Sequence, residues 1–215
     1  MLPEVTRILP PPLIAILIGL MVVILILKIL SPFIPQIRGR IGESKVRKIL
    51  LKLPANEYIS INDVLLHKDN GTTQIDHIVV SPFGIFVIET KNMKGKIYGD
   101  ERSKKWTKYS AGHKLTFMNP IHQNYGHIKA LQNFLNLPET IFVGIVVMTG
   151  SAELKFSTEY PVIYNNRLYG EITRHKLPVI EPEKALEIAD KIKAASDNTA
   201  KSRKEHIQQI RKDLQ

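Results

Sequence analysis

The chain opens on an apolar block and then switches between helix-like and strand-like patterns. Leu13 to Leu27 is unbroken apolar sequence apart from Gly19, and Ile29-Leu30 extends it past Lys28 to 18 residues counted from Leu13. A helix of that length spans a bilayer if Lys28 reaches back to the interface. Pro10-Pro11-Pro12 and Pro32 or Pro35 mark its ends. Val46, Ile49, Leu50 and Leu53 then recur at helical spacing, in a segment opened by Arg40-Ile41-Gly42-Glu43-Ser44. Glu43 is expected in the first turn, where the helix dipole favours a carboxylate. From Gln74 the pattern becomes strand-like. Two apolar runs flank a tight Ser81-Pro82-Phe83-Gly84 turn. Period-two alternation puts Ile85, Val87, Glu89 and Lys91 on one face and Phe86, Ile88 and Thr90 on the other. Both faces are apolar until Glu89, so this strand is predicted to be central and covered on both sides.

Further elements follow from the same reading. Asn119 before Pro120 predicts an N-cap with proline at the first helical position, and Gln123 and His127 share a face of that helix. Ile141 to Met148 reads as a buried strand, Pro161-Val162-Ile163-Tyr164 as a short last strand, and Glu183 as the start of a helix carrying Leu186, Ala189 and Ile192. Glu153 and Glu159 read as loop residues. Lys201 to Gln215 is charged with a thin apolar stripe of Ile207, Ile210 and Leu214, suited to docking on the domain, pairing with another chain or binding nucleic acid.

The hairpin places Asp76 within about two residues of level with Glu89. Two buried carboxylates so close repel each other unless a cation lies between them. Mg²⁺ is the natural candidate, since it takes oxygen ligands and often only one or two protein carboxylates. An ion pair closing the end of the hairpin is the plain structural alternative.

Gly42-Glu43, Gln74-Ile75-Asp76-His77, Gly84 to Asn92 with its Glu89-Thr90-Lys91, Trp106, Asn119-Pro120 and Gln123-Asn124 occur in an order that resembles the nuclease-related domain family. That family is similar to the PD-(D/E)XK nucleases. The resemblance covers roughly residues 39 to 150. It implies an α/β fold with a restriction-endonuclease-like mixed sheet core flanked by helices: the Glu43 helix, strands near 58–65, 74–80 and 85–91, the Gln123 helix and the strand at Ile141 to Met148. It also implies roles. Asp76 and Glu89 would hold Mg²⁺ or Mn²⁺, with the carbonyl of Thr90. Lys91 would orient or activate the attacking water and offset charge in the transition state. Glu43 would complete the acidic site, and Gln123 would position Lys91 or a phosphate.

Charge and composition narrow the reading. The net charge is +10, and residues 1–37 carry only Glu4, Arg7 and Lys28, which leaves +9 for the remainder. That balance favours an anionic partner, nucleic acid or an acidic lipid surface. Lys94-Gly95-Lys96-Ile97-Tyr98-Gly99 reads either as a loop that tracks a phosphodiester chain or as a plain hairpin turn. Lys104-Lys105-Trp106 reads either as phosphate contact with base stacking or as a core anchor. The absence of cysteine excludes a disulfide framework, a zinc ribbon and thiol catalysis. His77, His113, His122 and His127 lack a zinc-ligand spacing and are expected to contact phosphate or backbone. No repeat and no phosphate-cradling glycine loop of the Walker type is present.

The organisation expected from these signals is a short N-terminal segment at 1–12, a transmembrane helix at 13–30, a linker at 31–38, the nuclease-related domain at 39–182 and a charged helical tail at 183–215. Lys28, Arg38, Arg40, Lys45, Arg47 and Lys48 follow the apolar run and one arginine precedes it, which puts the C-terminal domain in the cytoplasm of a single-pass membrane protein. The functional expectation is a membrane-anchored, metal-dependent nuclease acting on nucleic acid, with DNA favoured by family analogy. The alternative is a membrane-tethered scaffold that binds nucleic acid or lipid and keeps the fold without turnover.

Overall fold

The computed structural model describes residues 11–31, 34–68, 71–196 and 207–210. The chain divides into two compact units, Met1–Arg40 and Ile41–Gln215. In the first unit α1 (Pro11–Leu30) is apolar all round, and its described side chains are exposed. No single helix among the described residues is long and apolar enough to cross a membrane. Ala15–Ile29 and Ile34–Leu50 meet that requirement only as a pair.

Helix α2 (Ile34–Leu50) begins earlier than the sequence suggested. The stretch expected to be a linker is helical from Ile34, because Pro35 falls in the first turn, where its missing N–H costs nothing. Glu43 is therefore mid-helix and gains nothing from the dipole of the first turn.

The second unit is built on a mixed sheet of five strands in the order β1 (Ile59–Lys68), β2 (Gly71–Ser81), β3 (Gly84–Lys91), β7 (Phe142–Met148), β9 (Val162–Tyr164). Strands β1, β2 and β3 are antiparallel neighbours, and β3, β7 and β9 run parallel. The Ser-Pro-Phe-Gly turn closes the β2–β3 hairpin with Gly84 at φ +137°, a backbone that favours glycine. Alternation sorts β3 as expected. Ile85 and Val87 join a core with Ile128, Leu131 and Leu135 of α3 (Pro120–Leu135) and with Ala185, Ile188, Ala189 and Ile192 of α5 (Pro182–Ala195). Phe86 and Ile88 join a second core with Val46 and Leu50 of α2 and with Leu168 and Ile172 of α4 (Leu168–Thr173). Each fully buried aliphatic or aromatic side chain contributes roughly 1.5–3 kcal/mol relative to exposure, so these two layers fix the sheet between helices. Because α5 buries one face, the stretch from Glu183 to Ala195 is a core helix rather than a tail. Of the remaining tail, residues 207–210 form one helical turn with Ile207 and Ile210 exposed, and Leu214 lies outside the described residues.

A second, four-stranded sheet was not anticipated. Its order is β6 (His113–Met118), β5 (Lys105–Ser110), β4 (Gly95–Tyr98), β8 (Ala152–Leu154). The Lys94–Gly99 stretch is thus mainly strand, and Glu153 lies in a strand rather than a loop. Strands β5 and β6 are joined by a turn with φ +49° at Ala111 and +79° at Gly112, the left-handed pair that a two-residue hairpin requires. The inward face of this sheet, Ile97, Trp106 and Ala152, packs on Ile121, Val146 and Met148.

Candidate active site

The β2–β3 register pairs His77 with Ile88, so the next pair outward is Asp76 with Glu89. The Thr90 N–H donates to Asp76 Oδ2 at 2.8 Å and fixes the carboxylate across the strands. Glu89 is 2 % exposed, and both its oxygens accept hydrogen bonds. Lys91 Nζ donates to Oε1 at 2.6 Å, and His127 Nε2 lies 3.1 Å from Oε2. Lys91 also donates to Gln123 Oε1 at 2.9 Å. Behind the imidazole, Thr73 Oγ1 is 3.0 Å from His127 Nδ1. With a proton on Nε2 the ring donates to Glu89, while Nδ1 meets the threonine hydroxyl.

Helix α3 delivers Gln123 and His127 because two buried asparagines hold it in place. Asn119 caps the helix by accepting from the Ile121 N–H at 2.9 Å, and its amide donates to the carbonyls of Asp100 and Ser103. The Asn124 amide donates to Val87 O at 2.9 Å, Ile145 O at 3.1 Å and the Tyr160 hydroxyl at 3.1 Å, which ties the helix to β3 and β7. Burial pushes the Tyr160 hydroxyl up to about 12, so it stays neutral beside the site strand.

Glu43 approaches through α2, and Gly42 permits that approach. A Cβ at Gly42 would lie 2.7 Å from Thr149 Oγ1 and 2.9 Å from the Asn92 Cβ. The helix therefore packs directly on the ends of β3 and β7, and the Glu43 charge is felt at Asp76.

The two carboxylates titrate in opposite directions. Burial, then the charge of Glu89, raises the Asp76 carboxyl well above its ordinary value, with Glu43 adding to the rise and the Thr90 N–H and Lys91 opposing it. Burial also acts to raise Glu89, but the hydrogen bond from His127 and the Lys91 charge outweigh it and hold Glu89 below its ordinary value. One carboxylate is thus held ionised by its partners, while burial and the charge of that neighbour act against ionisation of the other.

That repulsion is what a divalent cation would relieve. Asp76 and Glu89, with the Thr90 carbonyl, are oxygen donors of the kind Mg²⁺ or Mn²⁺ would take. Among the described residues no group of three or more His, Cys, Asp or Glu side chains is arranged to hold a metal, so the set is not a zinc cage.

Five of the expected residues, Glu43, Asp76, Glu89, Lys91 and Gln123, therefore come to one end of the central sheet. His127 is a further member of the site as the partner of Glu89, and its four-residue spacing from Gln123 is the sequence signal that puts it on that helix face. His77 faces the other side, where it meets Asn62 Oδ1 at 2.7 Å and burial lowers it to about 4. His122 reaches the Glu101 carbonyl at 2.7 Å. Lys94, Lys96, Lys104 and Lys105 are exposed. Trp106 is not available for base stacking: its ring is fully buried against Phe117 and Phe156, and its Nε1–H donates to Asp100 O at 2.8 Å.

The protein is thus of the mixed α/β class, with paired acids and a lysine at the end of its central hairpin. The chain belongs to the nuclease-related domain family, which matches residues 38–149. It is 42 % identical over 117 residues to an uncharacterized protein of Bacillus anthracis, a match covering 54 % of this chain and 55 % of that one. The chain thus spans about half the length of this curated relative. No solved structure is significantly similar to the chain.

Proposed function

We propose that the protein is a metal-dependent nuclease that hydrolyses phosphodiester bonds in nucleic acid, with DNA the favoured substrate by family analogy. The observation that carries the proposal is the convergence of Asp76, Glu89 and Lys91, with Lys91 held between Glu89 and Gln123. Asp76, Glu89 and the Thr90 carbonyl would hold Mg²⁺ or Mn²⁺. When bound, the ion supplies a Lewis acid that polarises the phosphate and lowers the pKa of water. Gln123 holds the Lys91 ammonium in place. Lys91 orients the attacking water and offsets the negative charge that builds on the phosphate oxygens. His127 keeps the Glu89 carboxylate ionised and fixed. Glu43 adds negative charge at the metal side of the site.

Anchoring is part of the same proposal. The apolar α1, exposed on all its faces, suits a lipid environment, and the basic residues that follow it orient the domain to the cytoplasm. Exposed Arg40, Lys45, Arg47 and Lys48 on α2 would meet anionic headgroups.

One observation favours the scaffold alternative. Lys91 and His127 between them give each Glu89 oxygen a protein partner, as a structural ion pair would. Incubating the full chain in detergent with supercoiled plasmid and with single-stranded DNA decides between the readings. The nuclease reading expects cleavage with Mg²⁺ or Mn²⁺ and none in EDTA. Salt-sensitive binding without cleavage under either metal would assign the chain the binding role.

A further inference from the structure

The second sheet has two unlike faces, and the outward one is unaccounted for. Cross-strand pairing sets Lys96 opposite Tyr109 and Tyr109 opposite Lys114. Directly paired residues share a face, so these three form a lysine–tyrosine–lysine row across β4, β5 and β6. The next row toward the start of β5 holds Tyr98, Thr107 and Thr116, and the one beyond it holds Lys105 and Met118. Tyr98 is 43 % and Tyr109 45 % exposed, with ring centroids 5.6 Å apart in an edge-to-face pair. Lys114 Nζ lies 6.0 Å from the Tyr109 ring centre. The acid on this face, Glu153 of β8, is neutralised by an ion pair with Lys155. The opposite face, with Ile97 and Trp106, is the one that packs on the rest of the unit.

Exposed tyrosines in the body of a sheet, flanked by cations, match a particular polyanion. Duplex nucleic acid keeps its base faces stacked inside, whereas a single strand offers them to aromatic rings. Lysines beside the rings take the phosphates. We propose that the outward face of β4, β5 and β6 binds single-stranded nucleic acid, with bases stacked on Tyr98 and Tyr109 and phosphates held by Lys96, Lys105 and Lys114. The inference deepens the nuclease reading by naming single strands as the ligand, and it rests on that reading for the choice of nucleic acid over other anions. The alternation of lysine and aromatic residues seen in the sequence is thus retained, but the strand turns Tyr109 outward and Trp106 inward.

Binding is measured in EDTA, where no cleavage is expected, so its outcome is independent of whether the site turns over. The full chain in detergent is titrated against a fluorescein-labelled oligothymidine of about 20 nucleotides, longer than the roughly 4–16 that one such platform covers. Anisotropy should show tighter binding than to a duplex of equal length. The double variant Tyr98→Ala, Tyr109→Ala should lose at least roughly thirtyfold in affinity, and Tyr98→Phe, Tyr109→Phe should retain it. Lys96→Gln, Lys105→Gln and Lys114→Gln together should reduce the salt slope by about 2, at roughly 0.7 per phosphate contact. Wild-type affinity in the alanine variant, equal loss in the phenylalanine variant, or preference for duplex would overturn the proposal. So would a triple glutamine variant that kept its oligonucleotide affinity but lost the wild-type preference for phosphatidylserine over phosphatidylcholine vesicles, which would make the face a membrane contact.

Discussion

Replacing Glu89 separates two ways of losing its charge. Alanine removes the acceptor for Lys91 at 2.6 Å and for His127 at 3.1 Å. It leaves a nearly buried imidazole N–H without a partner, and an ammonium held only by Gln123 Oε1 at 2.9 Å. Removing one member of a buried ion pair costs about 3–5 kcal/mol, and the partial exposure of Lys91, 19 %, places the cost near the lower end. A domain of this size shifts its melting temperature by roughly 2–4 °C per kcal/mol, so Glu89→Ala should melt about 6–12 °C lower. Glutamine keeps the shape. Its carbonyl accepts from Lys91, and its amide faces His127, which moves its proton to Nδ1, accepts at Nε2 and donates to Thr73. Only the charge is lost, about 1 kcal/mol, or roughly 2–4 °C. Calorimetric melting of the full chain in detergent with EDTA at neutral pH reads both. Because folding lowers the Glu89 pKa from its ordinary 4.5, its contribution is present above that pH and lost as pH falls through the lower folded value. The gap between wild type and Glu89→Gln should therefore close in acid. Equal melting points for the alanine and glutamine variants would refute the network.

Asp76 carries the opposite sign. Its folded pKa is raised, so its charge opposes folding once pH exceeds the ordinary value of 3.8, and Asp76→Asn should melt higher than wild type at neutral pH without divalent metal, while losing any stabilisation by Mg²⁺. A lower melting point in EDTA would contradict the repulsion. At Gly42, alanine would gain about 1 kcal/mol of helix propensity but must press on Thr149 and Asn92, so a net loss of about 1–2 kcal/mol is expected in chemical denaturation. A stabilised Gly42→Ala would show that α2 does not pack so closely. Asn124→Ala strips the amide from Val87 O and Ile145 O and should cost about 3 kcal/mol, with hydrogen exchange speeding up in α3. Unchanged exchange there would mean that the helix is held by packing alone.

The central hairpin was legible because three independent signals agree on it: the apolar runs, the Ser-Pro-Phe-Gly turn and the charges at the strand end. The start of α3 was legible from Asn119-Pro120, since both residues act locally. The start of α2 was hidden by Pro35, which reads as a breaker but sits where a helix tolerates it. The second sheet was hidden for two reasons. Its strands are short, and its β5–β6 turn uses Ala111 in a left-handed conformation instead of the usual Asn-Gly. Without strand limits, parity could not tell that Trp106 faces in and Tyr109 faces out. Glu43, Asp76, Glu89, Lys91 and Gln123 were assembled through family resemblance, whereas the hydrogen bond from His127 to Glu89 required the third dimension.

If the proposed function holds, Asp76, Glu89 and Lys91 form one hydrolytic centre. The most direct measurement is the rate of Mg²⁺-dependent DNA cleavage by the full chain beside Glu89→Gln and Lys91→Ala, each verified as folded by its melting curve. Wild type should cleave, and both variants should lose cleavage. Wild-type rates in either variant would contradict the proposed function.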